Sequence, residues 1–361
     1  MTPHTPPLSP YVVTLGTTGG PRWWNRAGES GRHGISTAIV VGDDVYLVDC
    51  GEGAGRQLRK AGLSLEQVKG IFITHLHSDH IADLAPILLF SLFERKDPLL
   101  PPIALLGPGS RGRLTPPSRR AVAAPQAVSP DQPTPGTAAM VRLLVKAFAS
   151  DFNDRIFDSL ARSPLDHFNA RDIEIPADCG FDPDHNVSPS MEPFRIYSDD
   201  SVTVTATLVS HAPMAPAFAF RFDTAGGSVT ISGDTAPCTN LVRLAQGTDL
   251  LLHEAISLEL IAAEYSDTAL MNATLDHHRQ SHTTPREAGE IAARAGARHL
   301  ALHHLVPSAA AREVWLEAGD TFSGTLHIPD DLTVIPFGSV PPDTITSPLR
   351  PDHVLFTSVG E

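Results

Sequence analysis

The chain is most constrained by Thr74-His75-Leu76-His77-Ser78-Asp79-His80, which follows the apolar run Gly70-Ile71-Phe72-Ile73. A run of that length and composition reads as a short buried strand, so the histidines fall in the turn at its carboxyl end, before a helix over Ile81–Phe93. A packed core has no use for three imidazoles and a carboxylate within six positions. Neutral imidazole and carboxylate suit zinc and similar divalent ions, and such a loop has donors enough for two. A polar surface turn is the plainer alternative, and it leaves the clustering unexplained.

The sequence around this loop reads as alternating strands and helices. Tyr11–Leu15, Ser36–Val41 and Val45–Asp49 are β-branched runs, with Gly42-Asp43-Asp44 as a hairpin connection. A helix is expected over Gly55–Ala61 and a strand over Ile103–Leu106. Further strands are expected at Val202–Val209, Ala217–Phe222, Ser228–Ile231, Leu250–His253 and His299–His303. Helices are expected at Leu241–Ala245 and Pro285–Ala295, the latter with Thr284 as N-cap and proline in its first turn. This order predicts an α/β fold, an αββα sandwich of two sheets flanked by helices, in one domain spanning 1–361.

Residues from about 108 to 195 read as an insertion into that domain. Prolines are dense from Pro98 to Pro135, which excludes long helices there. The cluster Arg111, Arg113, Arg119 and Arg120 reads as a solvated loop before a ligand site. Thr137–Arg162 carries Met140, Leu144, Phe148, Phe152, Ile156 and Leu160 at a period near four, an amphipathic helix suited to core packing, a dimer surface or a substrate lid.

Net charge is −14, a poor start for gripping a polyanion. The three cysteines, Cys50, Cys179 and Cys238, are too scattered for a zinc knuckle or a disulfide framework. No apolar run reaches membrane-spanning length, and the start, Met1-Thr2-Pro3-His4, lacks a signal-like pattern. A cytoplasmic protein with no membrane partner is the expectation. The tail run Val354-Leu355-Phe356 is left to pack on the core or on a second subunit.

Four more polar clusters sit at predicted strand ends: Ser210-His211-Ala212-Pro213, Ser232-Gly233-Asp234-Thr235, His253-Glu254-Ala255 and His303-His304-Leu305-Val306-Pro307. Taken singly, each is more simply structural. Together with the first loop they supply ligands for two metals and a bridging carboxylate. With His282-Thr283-Thr284, Leu15-Gly16-Thr17-Thr18-Gly19-Gly20-Pro21 and Leu47-Val48-Asp49-Cys50-Gly51-Glu52-Gly53, these motifs resemble the metallo-β-lactamase fold superfamily, and within it the ribonuclease Z branch. His75–His80 matches the HxHxDH signature, Gly233-Asp234-Thr235 the GDT segment, and His253-Glu254-Ala255 the HEA element. The likeness covers most of 11–336 outside the insertion.

The resemblance implies that His75, His77 and His211 bind one metal, that Asp79, His80 and His304 bind the other, and that Asp234 bridges them. His303 is the rival to His304, which is preferred because Leu305-Val306-Pro307 follows it. The implied cofactors are two divalent ions, zinc first, with manganese or iron as alternatives. The implied reaction is hydrolysis by a metal-bridging hydroxide. Asp79 would orient the hydroxide. His253, supported by Glu254, would protonate the leaving group, and His282 would bind a substrate oxygen. Pure hydrogen-bond support of the ligands is the plainer reading of His253 and His282, and Asp49 is expected in such a role.

For the substrate, a small ester is expected first: a phosphodiester, a carboxylic ester or lactone, or a sulfate ester, with the insertion and Trp23 and Trp24 as pocket walls. A tRNA 3′-end endonuclease is the alternative. Nucleic acid is ranked lower because relatives that grip tRNA carry a long basic arm between the residues matching His211 and Asp234, where this chain is short. A di-iron redox protein would have glutamate at position 77, and a non-catalytic metal-binding module would have lost ligands. A homodimer is expected by resemblance.

Overall fold

The structure, a computed structural model, describes residues 9–23, 31–118, 121–123 and 125–338. In chain order the first half forms β1 (Tyr11–Gly16), β2 (Ser36–Val41), β3 (Asp44–Val48), α1 (Ala54–Lys60), β4 (Val68–Phe72), α2 (Ser78–Ile81), α3 (Leu84–Glu94) and β5 (Ile103–Pro108). There follow α4 (Thr137–Ala147), α5 (Ala149–Ser159), α6 (Pro164–His167), β6 (Phe168–Ile173) and β7 (Phe194–Ser198). The second half forms β8 (Thr203–Leu208), β9 (Phe218–Thr224), β10 (Gly227–Ile231), α7 (Thr239–Leu244), β11 (Leu250–Ile256), α8 (Leu258–Ala263) and α9 (Thr268–Ser281). It closes with α10 (Pro285–Ala295), β12 (His299–Val306), α11 (Arg312–Leu316), β13 (Thr325–His327) and β14 (Thr333–Pro336).

The strands make two seven-stranded sheets, ordered β14-β1-β2-β3-β4-β5-β6 and β13-β12-β11-β10-β9-β8-β7. Each sheet is antiparallel at its hairpin end and parallel from β3 to β6 and from β10 to β13. Parallel neighbours need crossovers, and the helices supply them, so they lie on the outer faces. Period-two alternation divides the cores. Ile39, Tyr46, Phe72, Phe222, Val229 and Leu252 face the space between the sheets. Ala38, Val40 and Leu47 face outward against Leu58, Leu84 and Val141. Leu251 and Leu300 pack against Leu241, Ile291 and Trp315. The result is the expected αββα sandwich.

Several expectations are revised. The helix foreseen over Ile81–Phe93 begins at Leu84, after the single turn α2. Asp83 at the junction accepts a hydrogen bond from the Gly55 amide at 2.7 Å, tying α1 to α3. The helix foreseen over Thr137–Arg162 is two helices meeting at Phe148, and Leu160 stops the second at φ 54°. Phe152 turns inward while Phe157 stays exposed. Within the segment read as an insertion, residues 109–167 act as the crossover between β5 and β6. β6 pairs with β5 from Phe168–Ile103 to Ile173–Pro108. Only Phe168 and Ile173 of β6 are buried, so this edge strand carries no alternating apolar signal. α9 was missed for the same reason, since only Leu275 and Ser281 are buried. Arg119, Arg120, Trp24 and the tail run at 354–356 lie outside the described residues. No helix among the described residues is long and apolar enough to cross a membrane.

Phe222 lies fully buried between the sheets, with its ring centroid 5.2 Å from that of Phe72 and 6.3 Å from that of Tyr46. Phe222→Ala should cost about 3–5 kcal/mol of stability, read as a lower denaturation midpoint at unchanged slope.

Candidate metal centre

The carboxyl ends of β4, β10, β11 and β12 come together at one edge of the sandwich, where loops of open α/β sheets gather ligands. Two donor groups form there. His75, His77 and His211 make one, and Asp79, His80, Asp234 and His304 the other, with donor atoms within 4.8 Å of one another in each. His211, Asp234 and His282 make a third, overlapping group. The structure therefore brings together all seven residues named as ligands.

The local sequence aims each of them. Asp49, at the end of β3, accepts from the Thr74 amide, the Thr74 hydroxyl and His80 Nδ1, each at 2.8 Å. The Thr74 hydroxyl donates to Asp49 and so accepts from His75 Nδ1 at 3.1 Å. His211 Nδ1 donates to the Ser281 carbonyl at 2.8 Å. These bonds put the protons of His75, His80 and His211 on Nδ1 and leave each Nε2 with a lone pair facing the centre. His75 Nε2 and His211 Nε2 lie 3.1 and 3.0 Å from His77 Nδ1.

Asp234 joins the groups. Its Oδ1 is 3.3 Å from His80 Nε2, and its Oδ2 is 3.2 Å from His304 Nε2 and 3.9 Å from the Nε2 atoms of His75 and His211. His80 Nε2 and Asp234 Oδ1 are buried, yet neither makes a hydrogen bond. Two acceptors beside one ion would be arranged in this way. Burial holds His75 and His211 well below the usual imidazole range, as neutral ligands must be. Burial opposes a charge on His80 too, but Asp234, Asp49 and Asp79 together push it well above that range. A metal ion beside these carboxylates would take the place of that proton and leave His80 Nε2 free to ligate it. The donor set fits two divalent ions.

His304 owes its place to a backbone irregularity. β11 and β12 pair as Glu254 with His303 and then Ala255 with Leu305, so His304 is the extra residue of a bulge, at φ 49°. His303 instead points back between the sheets, 3.5 Å from the Thr37 hydroxyl, and burial lowers it to about 3. Gly19 packs against His304 so closely that a Cβ there would come within 2.4 Å of the ring. The neighbouring Gly20 amide donates to Asp79 Oδ2 at 2.9 Å. Gly20, Thr74 and Ser281 went unremarked as supports in the sequence. Thr74 and Gly20 lie within quoted motifs, whereas nothing local marks Ser281.

Glu254 is buried and accepts from the Thr235 amide at 2.6 Å. His282 Nδ1 donates to it, 2.9 Å from Oε2 and 3.1 Å from Oε1, and stands 3.9 Å from Asp234. Burial pulls His282 down, but the Glu254 charge outweighs it and the ring is pushed up to about 9. His282 sits between α9 and α10, whose start is locked by the Thr284–Glu287 capping box. The expectation for His253 needs correction. Its ring is fully enclosed, Nδ1 donates to the Glu254 carbonyl at 2.8 Å, and burial lowers it to about 4. It joins none of the three donor groups. The Glu254 carboxylate pairs with His282 and not with His253, because adjacent strand residues point to opposite faces.

The family model described as Beta-lactamase superfamily domain matches residues 166–305, and that of the Anti-Pycsar protein Apyc1 matches residues 34–105. Ribonuclease Z of Mycolicibacterium gilvum (strain PYR-GCK) is 30% identical over 325 residues, covering 89% of this chain and 94% of its own. Ribonuclease Z of Mycobacterium avium (strain 104) is 29% identical over 323 residues, covering 89% and 96%. Human short-form tRNase Z superposes with a TM-score of 0.55 at 22% identity, over 91% of this chain and 99% of that one. The metallo-β-lactamase fold protein YhfI of Bacillus subtilis gives 0.54 at 20%, with the same coverage. The chain belongs to the ribonuclease Z branch of the metallo-β-lactamase fold superfamily. It is a metal-dependent hydrolase acting on ester bonds.

His211→Ala should remove one of two bound ions, read by elemental mass spectrometry of the purified protein, and abolish hydrolysis. Asp49→Ala should weaken metal binding by about 10–100-fold, read by competition with a chromogenic chelator, because His80 then loses the partner that orients it.

Proposed function

We propose that this chain is a phosphodiesterase that cuts precursor tRNA at its 3′ end, in the manner of ribonuclease Z. The supporting observation is the His282–Glu254 pair beside Asp234, in a chain that aligns almost end to end with relatives named ribonuclease Z. This reverses the order of substrates expected from the sequence. The short stretch between His211 and Asp234, which forms β9 and β10, removes one possible RNA-gripping element and leaves the cleaving groups in place.

His75, His77 and His211 would hold one divalent ion and Asp79, His80 and His304 the other, with Asp234 between them. Zinc is the first choice, since imidazole and carboxylate at tight spacing suit it. Such ions, when bound, lower the pKa of water and offset charge on phosphoryl oxygens. In the reaction, water gives up a proton to solvent, its oxygen adds to phosphorus, the bond to one ester oxygen breaks, and the departing alkoxide takes a proton. Asp79, fixed by the Gly20 amide, orients the attacking water. His282 protonates the leaving oxygen from Nε2, while Glu254 holds Nδ1 and keeps the ring charged until transfer.

A phosphodiesterase for a smaller substrate is the second reading, favoured by the short β9–β10 stretch and the net charge of −14. The test incubates zinc-loaded protein with precursor tRNA bearing a 3′ trailer and, separately, with bis(p-nitrophenyl) phosphate, each with a chelator control. Cleavage at the trailer junction supports the first reading. Intact precursor alongside rapid turnover of the aryl diester replaces it with the second. His282→Ala should slow turnover by about 10²–10⁴-fold at unchanged metal content, which separates proton delivery from ligand support.

A further inference from the structure

A cavity of about 360 Å³ opens directly beside the metal centre, and His77 forms part of its wall. One side comes from Pro108 at the end of β5 and from crossover residues such as Thr115, Pro135 and Met140, and the other from the loop just after His211. The volume falls within the roughly 300–1,000 Å³ typical of small-ligand pockets. Prolines from both segments, Pro135 and Pro213 among them, make rigid walls, and Met140 and Met214 add two thioethers.

The cavity is electrically neutral despite the arginine in it. Arg111 donates through Nε to the Pro213 carbonyl, through Nη1 to the carbonyls of Arg113 and Leu114, and through Nη2 to the Pro183 carbonyl and Asp184. Every N–H of its guanidinium is thus used within the protein, and its charge is met by Asp184 at 2.5 Å. Arg111 pins the crossover to the loops around it and has no donor left for a phosphate. The remaining polar side chains on the wall are His77 and the hydroxyls of Thr115 and Thr134, the latter 3.0 Å from the Ser110 hydroxyl.

We infer that this cavity is the subsite for the nucleobase of the nucleotide joined to the scissile phosphate. The inference rests on the phosphodiesterase reading and names what lies next to the phosphorus. A phosphoryl group at the donor cluster leaves an adjoining substituent within reach of a space that His77 borders. The one cationic side chain on the wall, Arg111, has no N–H left for a second anion. A base is flat and apolar on its faces, which suits methionine sulfur and proline rings, and polar on its edge, which suits two hydroxyls.

The experiment labels the methionine methyl groups of the zinc-loaded wild-type protein with carbon-13 and adds adenosine 5′-monophosphate or methyl phosphate. Adenosine 5′-monophosphate should shift Met140 and Met214 and leave the core residue Met191 unmoved, and methyl phosphate should shift none of the three. Equal responses to both ligands, or no response at Met140 and Met214, overturn the subsite. A kinetic arm compares kcat/KM for adenosine 5′-(p-nitrophenyl phosphate) with that for methyl p-nitrophenyl phosphate. Thr134→Trp, at the rim, should lower that ratio at least tenfold through KM, and an unchanged ratio counts against the subsite. Base-dependent shifts in a protein that leaves precursor tRNA intact keep the subsite and remove the tRNA reading. Cleavage of precursor tRNA without those shifts does the reverse.

Discussion

A buried carboxylate organises this protein. Asp234 is 3% exposed and has five imidazoles within 3.9 Å: His75, His80, His211, His282 and His304. An ionised carboxylate taken out of water is costly unless charge and hydrogen bonds replace its hydration. Three of these neighbours, His75, His80 and His211, turn a lone-pair Nε2 toward it, because their Nδ1 protons are held on the far side of the ring. Divalent cations would supply that charge, and two of the three donor groups include Asp234 itself.

That polarisation is the work of groups with no motif of their own. Asp49, Thr74 and the Ser281 carbonyl each capture an Nδ1 proton or pass it on. They come from the end of β3, the end of β4 and the last turn of α9, so the sandwich must be assembled before any ligand is correctly aimed. Gly19 and Gly20 add a constraint of space: one lets His304 approach the backbone, and the other holds Asp79 by its amide. The centre is thus a property of both sheets, and its stability is inseparable from theirs.

The residues between β5 and β6 matter in a different way. A parallel pair needs a long connection, and this chain uses that necessity to build a wall beside the metal centre. Arg111 makes the wall firm by spending all its donors on carbonyls and Asp184, and Arg113 adds bonds to Asp182 and Asp184. An arginine cluster that looked like a solvated loop or an anion site is, for these two residues, a clasp.

The sequence by itself determined the chemistry of the centre and the class of fold. His75, His77, Asp79 and His80 are clustered in one turn, and His211, Asp234 and His304 each end an apolar run, so periodicity alone places them at strand ends. Both faces of each sheet are covered, so the strands read as continuous apolar runs and most were legible. Edge strands β6 and β7 and helix α9 were not, because they bury too few side chains to leave a pattern. Only the tertiary structure decided that His282, not His253, is the partner of Glu254. Alternation along β11 turns adjacent side chains to opposite faces, and which face meets the centre depends on how the second sheet is packed. Only the tertiary structure, likewise, gives His304 its bulge, since a register shift between parallel strands is set by the neighbouring strand and leaves no mark in local sequence.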